Sequence, residues 1–172
     1  MRIGVVKVST KHYVEKAVEK LGHTPVVYQI NDPDLFRKIK ESPIQKWIFT
    51  GSSLRLTVLN PLAPQVPMDV FHLKDKQFFM ICYSMESVLF QLGYPVVKRK
   101  THKKERFQLG PLTAYRNHWY YIPCNAMDSK VKVTECYNGE VMTGYYKNAV
   151  LTQWHPERTQ DGIECLKAWI AC

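Results

Sequence analysis

No stretch of this 172-residue chain stays apolar for the roughly 18–20 residues that a bilayer-crossing helix needs. Nor does the opening MRIGVVKVST carry the apolar core of a secretory signal; it runs directly into strand-like sequence. Glycine-rich phosphate loops are missing in both familiar forms, G-x-x-x-x-G-K-[ST] and G-x-G-x-x-G, so no ATP or dinucleotide cofactor is called for. The five cysteines (Cys82, Cys124, Cys136, Cys165 and Cys172) are odd in number and include no C-x-x-C pair. Neither a disulfide framework nor a metal site is therefore expected, and a reducing, cytoplasmic setting fits best. Acid is scarce as well: 15 Asp and Glu face 24 Lys and Arg, a formal charge of +9, which raises the question of an anionic partner. No repeat, low-complexity tract or linker interrupts the chain, so residues 1–172 read as a single domain.

What is present alternates between two periods. Arg2–Val8 is a β-branched run, and Tyr13, Ala17, Val18 and Leu21 then recur at helical spacing as far as Gly22. Pro25–Ile30 and Lys46–Thr50 read as further strands, with a short helix over Pro33–Lys40 between them. Prolines 61, 64 and 67 interrupt residues 51–76, where a long functional loop is expected. Gln77–Ile81 is a fourth strand, and Met85, Val88, Leu89 and Leu92 mark the helix that follows, ending at Gly93. Strands separated by helices favour βαβ units and a parallel sheet. After Pro95 come short β-like pieces: Val96–Lys98, Trp119–Ile122, Lys130–Cys136, Glu140–Tyr146 and Ala149–Gln153. A closing helix carries Ile163, Leu166 and Ile170. The fold expected is α/β with a partly antiparallel second half.

The corner Phe78–Gly93 (FFMICYSMESVLFQLG) puts Cys82 between a buried strand and a helix. That is the C-terminal edge of a parallel sheet, where such folds put ligands, and the free N–H groups of a first helical turn favour a thiolate. Cys82 is thus a candidate nucleophile. In Leu151–Arg158 (LTQWHPER), residues two apart in an extended segment face the same way, so Glu157 can orient the imidazole of His155. An imidazole so held is the general base a cysteine requires. The run Lys98–Arg106 holds six basic residues, but without a recognition helix or stacking platform it reads as a solvated loop, and nucleic acid is disfavoured as a partner.

Together, C-Y-x-M at Cys82–Met85 and Q-W-H-P-E at Gln153–Glu157 resemble the class I (triad) glutamine amidotransferases over nearly the whole chain. In size and element order the chain is similar to the separate glutaminase subunits of GMP synthetases. The resemblance implies a flavodoxin-like parallel sheet flanked by helices and a Cys82–His155–Glu157 triad that attacks a γ-glutamyl amide, with ammonia passed to a synthetase subunit. It further implies that Thr50-Gly51-Ser52-Ser53 stands where the family has S-G-G-P, so that backbone N–H groups of Ser52 and Tyr83 form an oxyanion hole. By the same resemblance Gly51, Glu86, Asn117, His118 and Trp119 line the substrate. The family's G-x-C-x-G-x-Q is here Met80-Ile81-Cys82-Tyr83-Ser84-Met85-Glu86, so both glycines and the glutamine are replaced. An acid at position 86, like W-H-P-E, is also a feature of the related γ-glutamyl hydrolases. The substrate is then glutamine or another γ-glutamyl compound: a γ-glutamyl hydrolase-like peptidase with the same triad is the second reading, and a catalytically silent binding protein of the same fold is the third.

Overall fold

The computed structural model describes residues 1–52 and 62–172. Ser53 and Pro61 lie outside the described residues. Strands β1 (Arg2–Lys7), β2 (Thr24–Gln29), β3 (Lys46–Phe49) and β4 (Gln77–Ile81) alternate with helices α1 (Tyr13–Lys20), α2 (Leu35–Glu41) and α3 (Tyr83–Gln91). The second half adds β5 (Val97–Leu109), β6 (Leu112–Tyr121), β7 (Lys132–Tyr137), β8 (Glu140–Tyr146), β9 (Ala149–Thr152) and helix α4 (Gln160–Ala171). Seven strands form one sheet in the order β2-β1-β3-β4-β9-β8-β7. It is parallel from β2 to β9 and antiparallel beyond. This is the parallel sheet with an antiparallel second half that the strand and helix periods imply, in the flavodoxin-like form that the resemblance implies.

Why β3 and β4 read as unbroken apolar runs is now plain: they are the middle of the sheet and are covered on both faces. Trp47, Phe49, Phe78 and Met80 pack with Ile39, Val70 and Leu89 on one side. Ile48, Phe79 and Ile81 meet Val14, Val18, Ile163 and Leu166 on the other. Burying such side chains stabilises by roughly 1.5–3 kcal/mol each, before the entropy of ordering them is charged. The core therefore fixes the C-terminal ends of β3, β4 and β9 side by side, through the pairs Phe49↔Met80 and Ile81↔Thr152.

Two expectations fail. The basic run is no loop: it is most of β5, which pairs antiparallel with β6 in a separate two-stranded ribbon. Gly110 at φ 58° and Pro111 make a two-residue turn closed by Leu109↔Leu112, a corner for which a leading glycine is suited. Lys98, Lys100 and Lys104 are exposed, while Arg116 turns inward and is only 1% exposed. Its guanidinium bonds the Glu105 carboxylate (Nε to Oε1 3.0 Å) and reaches Glu140 at 3.5 Å, and it lies over the rings of Phe107 and Tyr137. Arg99 also pairs with Glu140. A buried ion network, invisible as periodicity, thus clamps the ribbon to β8.

The second failure concerns cysteine. Cys124 and Cys136 form a disulfide, with Cα atoms 6.5 Å apart. The turn at Cys124–Ala126 folds back along the β7–β8 hairpin, where the Cys124 N–H donates to the Gly139 carbonyl at 2.8 Å and Pro123 bridges to Glu140. Hairpin geometry, not a sequence motif, brings the pair together. Cys82, Cys165 and Cys172 are free. Among the described residues no helix is long and apolar enough to cross a membrane.

Candidate active site

The three adjacent strand ends converge on a cavity of about 490 Å³. Cys82 leaves β4 with φ 50°, in a region that residues other than glycine seldom occupy. The corner is over-determined by its surroundings. The Cys82 N–H donates to the Thr152 carbonyl at 2.7 Å, and its own carbonyl accepts from the Glu86 N–H at 2.9 Å. Ser84 donates its hydroxyl to the Thr50 carbonyl at 2.7 Å and ties the start of α3 to the end of β3. Met80 is core.

His155 follows β9 by three residues, and its N–H is fixed to the Tyr115 carbonyl of β6 at 2.8 Å. Imidazole Nδ1 meets Glu157 Oε1 at 2.8 Å, although Pro156–Arg158 form a 3-10 turn, closed by the Arg158 N–H on the His155 carbonyl, rather than the extended segment expected. The other ring nitrogen, Nε2, is buried and has no hydrogen-bond partner among the described residues. A buried polar atom left in that condition is uncommon and marks a position that a reacting group can fill. Gly51 shows how close the parts are: a Cβ placed there would lie 2.8 Å from His155 Cε1 and 3.2 Å from Cys82 Cβ. Cysteine and imidazole therefore flank one glycine, although 73 positions separate them in the chain.

Cys82 is 2% exposed. Burial pushes it well above its usual value, aided by the carboxylates of Glu86 and Glu157. The resting group is the thiol, so the helix N-terminus alone does not produce the thiolate that the corner suggests. Hydrogen bonds from the Tyr83 N–H and the Gln153 side chain oppose the shift. Gln153 is completely buried, and its Nε2 lies 3.5 Å from Cys82 Sγ.

Of the remaining expected residues, Gly51, Ser52, Glu86, Asn117, His118 and Trp119 all line the cavity. Tyr83 begins α3, with its hydroxyl donating to the Pro64 carbonyl away from the cavity. Glu86 is buried one turn along α3; burial raises its carboxyl to about 8, a Gln153 hydrogen bond acting the other way. His118 is driven down to about 4 by burial, so its ring is neutral, with Nδ1 against the Tyr120 carbonyl and Nε2 unpartnered among the described residues. The Asn117 carbonyl lies 3.9 Å from Cys82 Sγ. Trp119 is 37% exposed and stacks on His102, ring centroids 4.9 Å apart and 9° from parallel.

Sequence reasoning missed Gln153, His102, Lys104 and Arg158, all close to these groups. Gln153 was within reach: it opens Q-W-H-P-E, next after the residue paired with Ile81. Lys104 and His102 required knowledge of the β5–β6 pairing. Among the described residues no group of three or more His, Cys, Asp or Glu is placed to hold a metal ion.

The whole is a sheet-edge site of the flavodoxin-like class, with a sulfur, an imidazole–carboxylate pair and a cavity. No family model matches the chain, and no curated protein matches it. Among solved structures it matches the crystal structure of a Thermoplasma acidophilum protein described as a candidate GMP synthase subunit. The TM-score is 0.76 with 20% sequence identity, over 99% of this chain and 92% of that one. Likeness at this identity shows the shared fold.

Proposed function

We propose that this chain, acting as one domain in the cytoplasm, is a glutamine amidotransferase-like glutaminase that supplies ammonia to a partner synthetase. The observation that carries the reading is the His155 imidazole, oriented through Nδ1 by Glu157 and without a partner at Nε2 among the described residues, beside the same cavity as Cys82. The description of the structural neighbour as part of a synthase supports the ammonia-accepting partner.

In this reading, Cys82 Sγ attacks the γ-carboxamide carbon of glutamine as its proton passes to His155 Nε2. Deprotonation is concerted with attack because burial holds the free thiol neutral. Backbone N–H groups of Ser52 and Tyr83 stabilise the oxyanion. The C–N bond then breaks, the imidazolium returns its proton to nitrogen, and ammonia leaves a γ-glutamyl thioester on Cys82. Water, deprotonated by His155, attacks the thioester; glutamate departs and the thiol is restored. Glu157 keeps the tautomer and balances the imidazolium charge. Gly51, Glu86, Asn117, His118 and Trp119 form the substrate wall, with Glu86 protonated below about pH 8 and able to donate where a carboxylate could only accept. Glutamine-dependent ammonia release tests the proposal: Cys82→Ala abolishes it, and release that persists in the variant contradicts it.

A further inference from the structure

The catalytic cavity continues into a second, more open one of about 290 Å³, the two sharing Tyr13, Glu157 and Arg158. Together they make a groove with α1 on one side and the β5–β6 ribbon on the other. Six cations line it: Lys11, Lys16 and Lys20 at and along α1, Lys104 and Arg106 on β5, and Arg158. Among the described residues none of the six pairs with a carboxylate, whereas the inner cations of the ribbon, Arg99 and Arg116, both do. The described lining holds two carboxyl groups: Glu157 serves His155, and Glu86 is buried and protonated at neutral pH. Cations gathered without counter-charge repel one another, and an anion laid among them relieves that cost.

The kind of anion follows from what stands beside the cations. The pairs Lys104↔Asn117 and Arg106↔Tyr115 share the outer face of the ribbon, while Phe107, Ala114 and Arg116 are buried on the other. His102 and Trp119 extend the outer row as a stacked pair, both exposed. From Trp119 to Tyr115 the row runs about 14 Å, at about 3.4 Å per residue. Arg158 stands at its far end, its guanidinium 4.6 Å from the Tyr115 ring centroid and 4.2 Å from that of Tyr13 on α1. A small anion or an acidic peptide uses the cations and has no need of the indole. A single nucleic-acid strand uses both, phosphates on the cations and a base on the aromatic plane. A duplex keeps its bases stacked on one another and leaves the indole unused. What the sequence lacks as a motif, a stacking platform, the pairing of β5 with β6 supplies. We propose that this groove binds a single-stranded segment of RNA, with phosphates on Lys104, Arg106, Lys16 and Lys20 and a base on Trp119. RNA is the single strand that the cytoplasmic setting proposed above offers. No bond is exchanged, and the γ-glutamyl chemistry is not needed for it.

Fluorescence anisotropy with a labelled RNA of about ten nucleotides, mixed in sequence and unable to pair with itself, tests this on the protein. Binding weakens as salt is raised, with a log–log slope of about −0.7 for each phosphate neutralised. Lys104→Gln and Arg106→Gln each make that slope shallower by about 0.7. Trp119→Ala weakens binding by about fivefold or more at fixed salt, and Trp119→Phe, which keeps a ring, retains part of the affinity and controls for folding. As competitors, the duplex of the same sequence and an oligoglutamate of equal charge are each about tenfold or more less effective than the unlabelled strand. Displacement by oligoglutamate as effective as by RNA assigns the groove to an acidic protein segment and overturns the proposal. So does equal displacement by the duplex, an affinity unchanged in Trp119→Ala, or the absence of binding at low ionic strength.

Discussion

Replacing Gly51 by alanine is a small change with a large expected effect. The new methyl carbon would stand 2.8 Å from His155 Cε1, whereas ordinary contact begins at 3.4 Å, so something must yield by about 0.6 Å or more. Cys82, 3.2 Å away on the other side, is held through its N–H to Thr152 and by core on its sheet side. The imidazole must therefore give way, and it is bound at 2.8 Å to Glu157. A misplacement of about 1 Å in a catalytic group can cost on the order of 10²-fold in rate. A shift of this size should then lower kcat/KM for glutamine by about 10- to 100-fold, or about 1.4–2.7 kcal/mol of transition-state stabilisation. Overpacking of this kind typically costs ~1–3 kcal/mol of stability, which leaves the fold in place. Coupling ammonia release to glutamate dehydrogenase measures the rate, and a thermal melt on the same sample verifies folding. A folded Gly51→Ala protein that keeps more than half of the wild-type kcat/KM would refute the assignment of the imidazole at this position as the base.

Glu157→Gln should leave the protein folded and lower kcat by about 10²- to 10⁴-fold, because an amide neither balances the imidazolium nor enforces the tautomer; steady-state kinetics read the loss. Glu86 gives a pH signature. Its carboxyl is raised from 4.5 to about 8 in the fold, so between these values the native state binds more protons than the unfolded one and stability falls as pH rises through that window. Glu86→Gln, which cannot ionise, should melt several degrees above wild type at pH 8.5, with the gap closing towards pH 4.5; a gap independent of pH contradicts the assignment. Arg116→Met strands Glu140 with Arg99 alone and should cost about 3–5 kcal/mol in urea unfolding. Titration of thiols in denaturant without reductant should count Cys82, Cys165 and Cys172 only, with all five cysteines reacting after reduction.

The central sheet was readable because β3 and β4, covered on both faces, carry apolar residues without interruption. The sheet-edge corner was readable because a helical period starts just after Cys82; the imidazole–carboxylate pair is present as expected, but a 3-10 turn at Pro156–Arg158 makes it, not the extended backbone from which it was argued. The β5–β6 ribbon was not. Its exposed lysines mimic a solvated loop, its register shifts between Lys98 and Lys103, and what anchors it is a charge network rather than an apolar face. Gln153 and Arg158 acquire their meaning only from neighbours supplied by other elements: β4 for one, α1 and β6 for the other. The Cys124–Cys136 bond likewise depends on how a turn lies along a hairpin, which residue spacing does not encode. The direction of the Cys82 shift was misjudged because the helix N-terminus is local to the sequence, whereas burial and the nearby Glu157 carboxylate are not.

In the proposed function the sulfur of Cys82 is the nucleophile for a γ-glutamyl carbonyl. Incubating the protein with an electrophilic glutamine analogue, followed by peptide mass spectrometry, addresses it directly. The account expects a single adduct on the Cys82 peptide, slowed in competition with glutamine, nearly lost in His155→Ala and absent in Cys82→Ala. An unmodified Cys82, or labelling that falls equally on Cys165 and Cys172 and ignores glutamine, would contradict it.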